Sequence, residues 1–207
     1  MLSVIGSLCK LLPIPPRPRN FVPITPTGSN SCLKRILGWT WRSTLTNIRY
    51  PYTYMKLVVA SDHAGVALKQ HVAEVLRKDG HDVTDLGSNS PDPVDYPDYA
   101  EKVANAVLRG EAERAILICG SGAGACVAAN KFRGIRSATC HDSFSARQCV
   151  EDDDCNVMCF GARVIGPELA VELARIYVGA KFSGAERHRR RLGKVAHFEE
   201  EFCRETS

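Results

Sequence analysis

Residues 55–207 predict an α/β fold of three layers. The expected form is Rossmann-like: a five-stranded parallel sheet in the flavodoxin-like order 2-1-3-4-5, helices on both faces and a C-terminal helix. Three observations lead there. Five short apolar runs recur through the segment, each bounded by polar residues or glycine. Stretches with apolar residues at helical spacing separate them. The alternation of the two covers a parallel sheet on both faces and makes its crossovers right-handed.

Lys56–Ser61 (KLVVAS) is the first apolar run and reads as a buried strand. Gly65 to Lys78 carries Val66, Ala67, Val72, Ala73, Val75 and Leu76 among polar residues, an amphipathic helix stopped near Gly80. His81–Leu86 is a second strand. A Pro-rich loop precedes a second helix over Asp98–Arg109. Ala115–Ile118, Ile135–Cys140 and Asn156–Phe160 read as strands three to five. Helices over Ala123–Phe132, Ser143–Glu151 and Pro167–Ala180 follow each in turn, and a highly charged helix spans 184–204.

Charge separates this body from what precedes it. Residues 1–54 hold seven Lys or Arg and no Asp or Glu, so the body carries 20 basic and all 23 acidic residues, a net of −3. The overall +4 therefore argues little for nucleic-acid binding by the folded part. The Pro-rich, acid-free segment 1–54 resists a packed core and has the composition of a mitochondrial or plastid transit peptide. A non-functional upstream extension is the alternative, with Met55 just before the first strand and a cytoplasmic location. No apolar run reaches membrane-spanning length. The nine cysteines include no CxxC pair and no zinc-ribbon spacing, which favours free thiols.

In an open parallel sheet the ligand sits beyond the carboxyl ends of the strands, where the strand order switches direction. Here that point lies between strands one and three, which end in Ser61-Asp62-His63 and Cys119-Gly120-Ser121. Gly120, Gly122 and Gly124 lead into a helix, so backbone N–H groups could approach an anion. The loop lacks the P-loop pattern and, with Ala125 at the expected third glycine, the dinucleotide fingerprint. Cys119 is either a small buried hydrophobe or a thiolate stabilised at a helix N-terminus. Such a thiolate could move a proton beside a sugar carbonyl, while the loop N–H groups hold the enediolate oxygen. Asp62 caps the following helix or faces the ligand, with His63 beside it. Tyr96 lies in a loop able to close over the site. Arg187 and Arg191 share a helix face near His188 and suit a phosphate.

Six ordered blocks carry a resemblance: ASDHAG (60–65), DYPDYA (95–100), ILICGSGAG (116–124), AANKFRGIR (128–136), NVMCFGARVIG (156–166) and ERHRRR (186–191). Residues 55–202 resemble type B ribose-5-phosphate isomerase, in the family that includes galactose-6-phosphate isomerase. The resemblance implies an aldose–ketose isomerase, an intramolecular oxidoreductase working without metal or cofactor. It also implies a homodimer with sites shared between subunits, and the sequence leaves a further pairing into a tetramer open. Cys119 is then the base, assisted by Ser121, and loop 120–124, including Ala123, holds the enediolate. A sister branch carries a Glu at the position of Ala125, so the chain falls in the cysteine branch. Asp62, His63 and Tyr96 line the sugar site, supported by Asn130. Arg187 and Arg191 bind phosphate with His188 beside them, and Arg163 reaches it across the dimer.

One departure stands out. The family has a ring-opening histidine where this chain has Asp152, within Glu151-Asp152-Asp153-Asp154. An ordinary Asp is ionised at neutral pH, although like charges on Asp153 and Asp154 favour its protonated form. His141 is the alternative proton donor. Ring opening is expected to be slower than in relatives with the histidine. The competing readings are an isomerase of a hexose 6-phosphate and a non-catalytic sugar-phosphate-binding protein.

Overall fold

The structure is a computed structural model and describes residues 54–204. The N-terminal segment 1–53, and with it the targeting reading, lies outside the described residues. Five strands alternate with helices: β1 (Lys56–Ser61), α1 (Val66–Lys78), β2 (Asp82–Asp85), α2 (Tyr96–Leu108), β3 (Arg114–Cys119), α3 (Ala123–Ala129), β4 (Ser137–Thr139), α4 (Ser143–Glu151), β5 (Val157–Gly161), α5 (Pro167–Gly179) and α6 (Glu186–Arg204). All pairings are parallel.

The α/β class holds, and one detail of the expected order changes. The strands run β2-β1-β3-β5-β4, so the last two exchange places. Burial explains the exchange. All five residues of β5 are buried, whereas the three residues of β4 are half-buried or exposed. A wholly apolar strand gains most from neighbours on both edges, and a short, partly polar one suits the rim. β4 is also shorter than the expected Ile135–Cys140. Arg136 leaves the ladder because its N–H bonds to Asn156 Oδ1 and its guanidinium to Asp154, at 2.7 Å.

The sheet divides the core by alternation. Leu57, Val59, Ile116, Ile118, Met158 and Phe160 face α1 and α5 and pack with Val72, Leu76 and Tyr177. Val58, Ala60, Leu117, Cys119 and Cys159 face the other way, against Val103 of α2 and Ala125 of α3. Each fully buried Val, Ile or Leu contributes about 1.5–3 kcal/mol. Cys119 thus extends an apolar row and turns its sulfur toward the start of α3. The switch between β1 and β3 survives the reordering. Ser61 is in register with Ile118, and Asp62 N–H donates to Ile118 O at 3.1 Å.

Candidate active site

Two groups of the expected residues gather at opposite ends of the sheet. At the carboxyl edge, Cys119 is only 3% exposed, and its Sγ accepts the Gly122 N–H at 3.0 Å. The donor is in place because Gly122 turns the chain in a left-handed conformation, φ +83. Ser121 is exposed, and its Oγ accepts the Ala123 N–H at 3.3 Å. The first intrahelical bond of α3 runs from Cys126 N to Gly122 O. The N–H groups of Gly124 and Ala125 precede it and are the donors a helix start offers an anion.

The neighbours close this end. Asp62 is buried and caps the turn His63–Gly65, its Oδ1 accepting Ala64 N–H at 2.9 Å. The capping role is therefore real, and it holds the carboxylate beside β3. His63 Nδ1 is held against the Val94 backbone, 3.2 Å from its nitrogen and 3.3 Å from its carbonyl oxygen. Tyr96 belongs to the first turn of α2 instead of a mobile loop, and its ring covers Gly124: a Cβ there would stand 2.9 Å from Tyr96 Cζ. Arg163 lies in its own chain's site, its guanidinium 3.8 Å from where a Gly120 Cβ would stand. Its backbone N–H donates to Gly120 O at 3.0 Å. His141 is at this end too, and its Nε2 accepts Gly161 N–H at 2.9 Å. Gly161 is the register partner of Cys119.

Asn130 caps α3 and is bonded twice to β4, accepting Ser137 N–H at 2.8 Å and donating to Ser137 O at 2.9 Å. It supports the site by fastening α3 to the sheet.

The remaining residues gather at the amino edge. Asp152 caps α4. Asn156, just before β5, accepts from Ala115 N–H at the start of β3, and Ser183 N–H donates to Glu151 O. The length of β3, about 13 Å of extended chain from Ala115 to Cys119, therefore lies between this edge and Cys119. His188 is 2% exposed, with Nδ1 3.3 Å from Asp152 Oδ1 and 2.9 Å from Ser183 Oγ. Arg187 Nε donates to His188 Nε2 at 2.7 Å. Burial, and then the charge of Asp152, push the Asp153 carboxyl up, against the opposing pull of Arg191.

Two supporting residues escaped the sequence reading. Gly161 must be bare, since a Cβ would lie 2.7 Å from the Ser121 carbonyl. Lys69 is wholly buried and binds Asp85, Ser88 O and Asn89 at 2.6–2.9 Å, tying down the start of the loop before Tyr96. Its signal was spacing: 69, 72, 73 and 76 form one buried stripe, with a lysine in a core position.

Comparison with known proteins gives this geometry its setting. Residues 57–195 match the profile of the Ribose/Galactose Isomerase family. The chain belongs to that family. Among its relatives, ribose-5-phosphate isomerase B of Escherichia coli is 41% identical over 145 residues, 70% of this chain and 97% of that protein. The solved structure of Clostridium thermocellum ribose-5-phosphate isomerase B has a TM-score of 0.70 at 43% identity, covering 72% of this chain and 99% of the other. A D-erythrulose-4-phosphate isomerase of Pectobacterium atrosepticum is 39% identical over 132 residues, 63% of this chain and 86% of its own length. The resemblance expected from the six sequence blocks is thus a family membership, and the aldose–ketose isomerase class comes with it.

Proposed function

We propose that the chain interconverts ribose 5-phosphate and ribulose 5-phosphate, with Cys119 as the base. The observation that carries this reading is the Cys119 sulfur at the switch point, facing the loop N–H of Gly122 at 3.0 Å. The thiolate takes the proton from C2 of the open-chain aldose. Electrons move into a C1–C2 enediolate, whose oxygen meets the N–H groups at the start of α3. The same proton returns to C1, and the hydroxyl proton passes from O2 to O1, assisted by Ser121. Asp62, His63 and Tyr96 bound the sugar.

Arg187 and Arg191 lie at the other edge of the same chain, so one chain holds two half-sites. A symmetric dimer that sets the amino edge of one protomer against the carboxyl edge of the other completes both. Turnover of ribose 5-phosphate by the full chain, beside Cys119→Ala, tests the reading. A loss of about 10²–10⁴-fold is expected for removal of a general base. Unchanged turnover in Cys119→Ala would sink it.

Ring opening falls to His141, which shares the carboxyl edge with Cys119 and keeps its proton on Nδ1 because Nε2 accepts from Gly161. Erythrose 4-phosphate separates this step from isomerisation. Its C4 oxygen carries the phosphate, so it cannot close a five-membered ring. His141→Asn should slow ribose 5-phosphate turnover and spare that of erythrose 4-phosphate, and equal losses would remove His141 from the step. Residues 1–54 act as a targeting extension in this reading. A reporter fused to them should leave the cytoplasm, and a reporter that stays there argues for an inert extension.

A further inference from the structure

We propose that Asp152 is a positioning residue for the substrate phosphate: acting through His188, it fixes the guanidinium of Arg187. The proposal rests on the function above, in which Arg187 meets the phosphate. A guanidinium only donates, so the 2.7 Å contact from Arg187 Nε requires a lone pair on His188 Nε2. The ring is then neutral, with its proton on Nδ1. That proton faces two acceptors, Ser183 Oγ at 2.9 Å and Asp152 Oδ1 at 3.3 Å.

The carboxylate matters most through its charge. A negative group behind Nδ1–H makes Nε2 a better acceptor, the arrangement carboxylates provide behind metal-binding histidines. Asp152 is itself held, its backbone N–H donating to Gln148 O at 2.9 Å and its Oδ2 accepting from Gln148 Nε2 at 3.2 Å. Both carboxylate oxygens are therefore occupied in the cluster. The other charged groups here are Asp153 and Arg191, whose charges act on each other.

Arg187 needs such a tether. It is exposed, whereas His188 is buried, and adjacent residues on a helix do not face one another. The Arg187 side chain must fold across to reach the imidazole. Once Nε is engaged, the planar group is fixed, and the edge between its two Nη atoms remains to meet an anion. An arginine immobilised beforehand gains about two- to tenfold in affinity over one that orders on binding.

The test compares the full wild-type chain with Asp152→Asn, reading KM and kcat for ribose 5-phosphate and competitive inhibition by inorganic phosphate. KM and the phosphate inhibition constant should both rise about five- to tenfold while kcat stays within about twofold. In an Arg187→Lys background, which lacks the Nε–H donor, Asp152→Asn should add less than about twofold. A fall in kcat with both constants unchanged, no change at all, or an equal loss in the Arg187→Lys background would overturn the proposal. Nitrogen NMR of the wild-type chain decides independently of whether the variants fold. His188 protonated on Nδ1 alone is expected, and an Nε2–H tautomer overturns the relay. If ribose 5-phosphate is not turned over, the functional reading fails, and phosphate affinity of the two chains by calorimetry still decides the relay.

Discussion

Gly122 joins two constraints at one residue. Its φ of +83 suits only glycine, and a Cβ would stand 3.0 Å from the Phe160 carbonyl carbon and 2.9 Å from Thr139 Cγ2. Gly122→Ala should cost about 2–4 kcal/mol from the left-handed backbone and the collision together. It should also displace the N–H that meets Cys119, so urea denaturation and turnover should fall together. Lys69→Met removes the ammonium between Asp85, Ser88 O and Asn89 and should cost about 3 kcal/mol in urea denaturation. His81 carries a pH signature. Burial holds its imidazole below the usual 6.5, so the unfolded chain binds a proton there before the folded chain does. Stability is then full above pH 6.5 and falls as pH drops below it. Urea midpoints at pH 7.5 and 5.5 should converge in His81→Asn relative to wild type, and an unchanged gap would exclude this group.

At the scale of elements, the sheet ranks its strands by what they can bury. The sequence marks β4 and β5 alike as short apolar runs, and chain order suggests that they pair in sequence. Only side-chain exposure separates VMCFG, wholly buried, from SAT, open to the rim. Helix α3 shows the same limit. The expected helix runs to Phe132, yet the α-helix stops at Ala129 because Asn130 turns both amide atoms to Ser137. Asn130→Ala should loosen that joint by about 1–2 kcal/mol, seen as faster amide exchange in α3 and β4. Unchanged exchange would mean that α3 is held by its apolar face alone.

At the scale of the whole molecule, what matters is the separation of the two clusters that the proposed dimer joins. Cys119 lies at one edge of the sheet and the Arg187–His188–Asp152 cluster at the other. Shared sites make a quantitative prediction. Cys119→Ala and Arg187→Ala should each be inactive alone. Co-expressed in equal amounts, half of the dimers are mixed, and each mixed dimer has one intact site, so about a quarter of wild-type activity should return. No recovery would place each site within one chain.

The sequence by itself determined the α/β class, the switch point and the residues facing it, because those follow from local patterns: apolar runs, helical spacing, and glycines where a strand meets a helix. Ser61-Asp62 and Cys119-Gly120 were legible as strand ends, and the structure brings them together. The tertiary structure alone decided the order of β4 and β5, the place of Lys69 in the core and the seat of Arg163 over its own Gly120. It alone also placed Asp152 against His188. These depend on which surfaces meet across the fold, and a linear pattern carries no such distances. Asp152 shows the difference most clearly. In the sequence it is a carboxylate standing where a proton donor was expected, and in the fold it is the charge behind a histidine that holds an arginine.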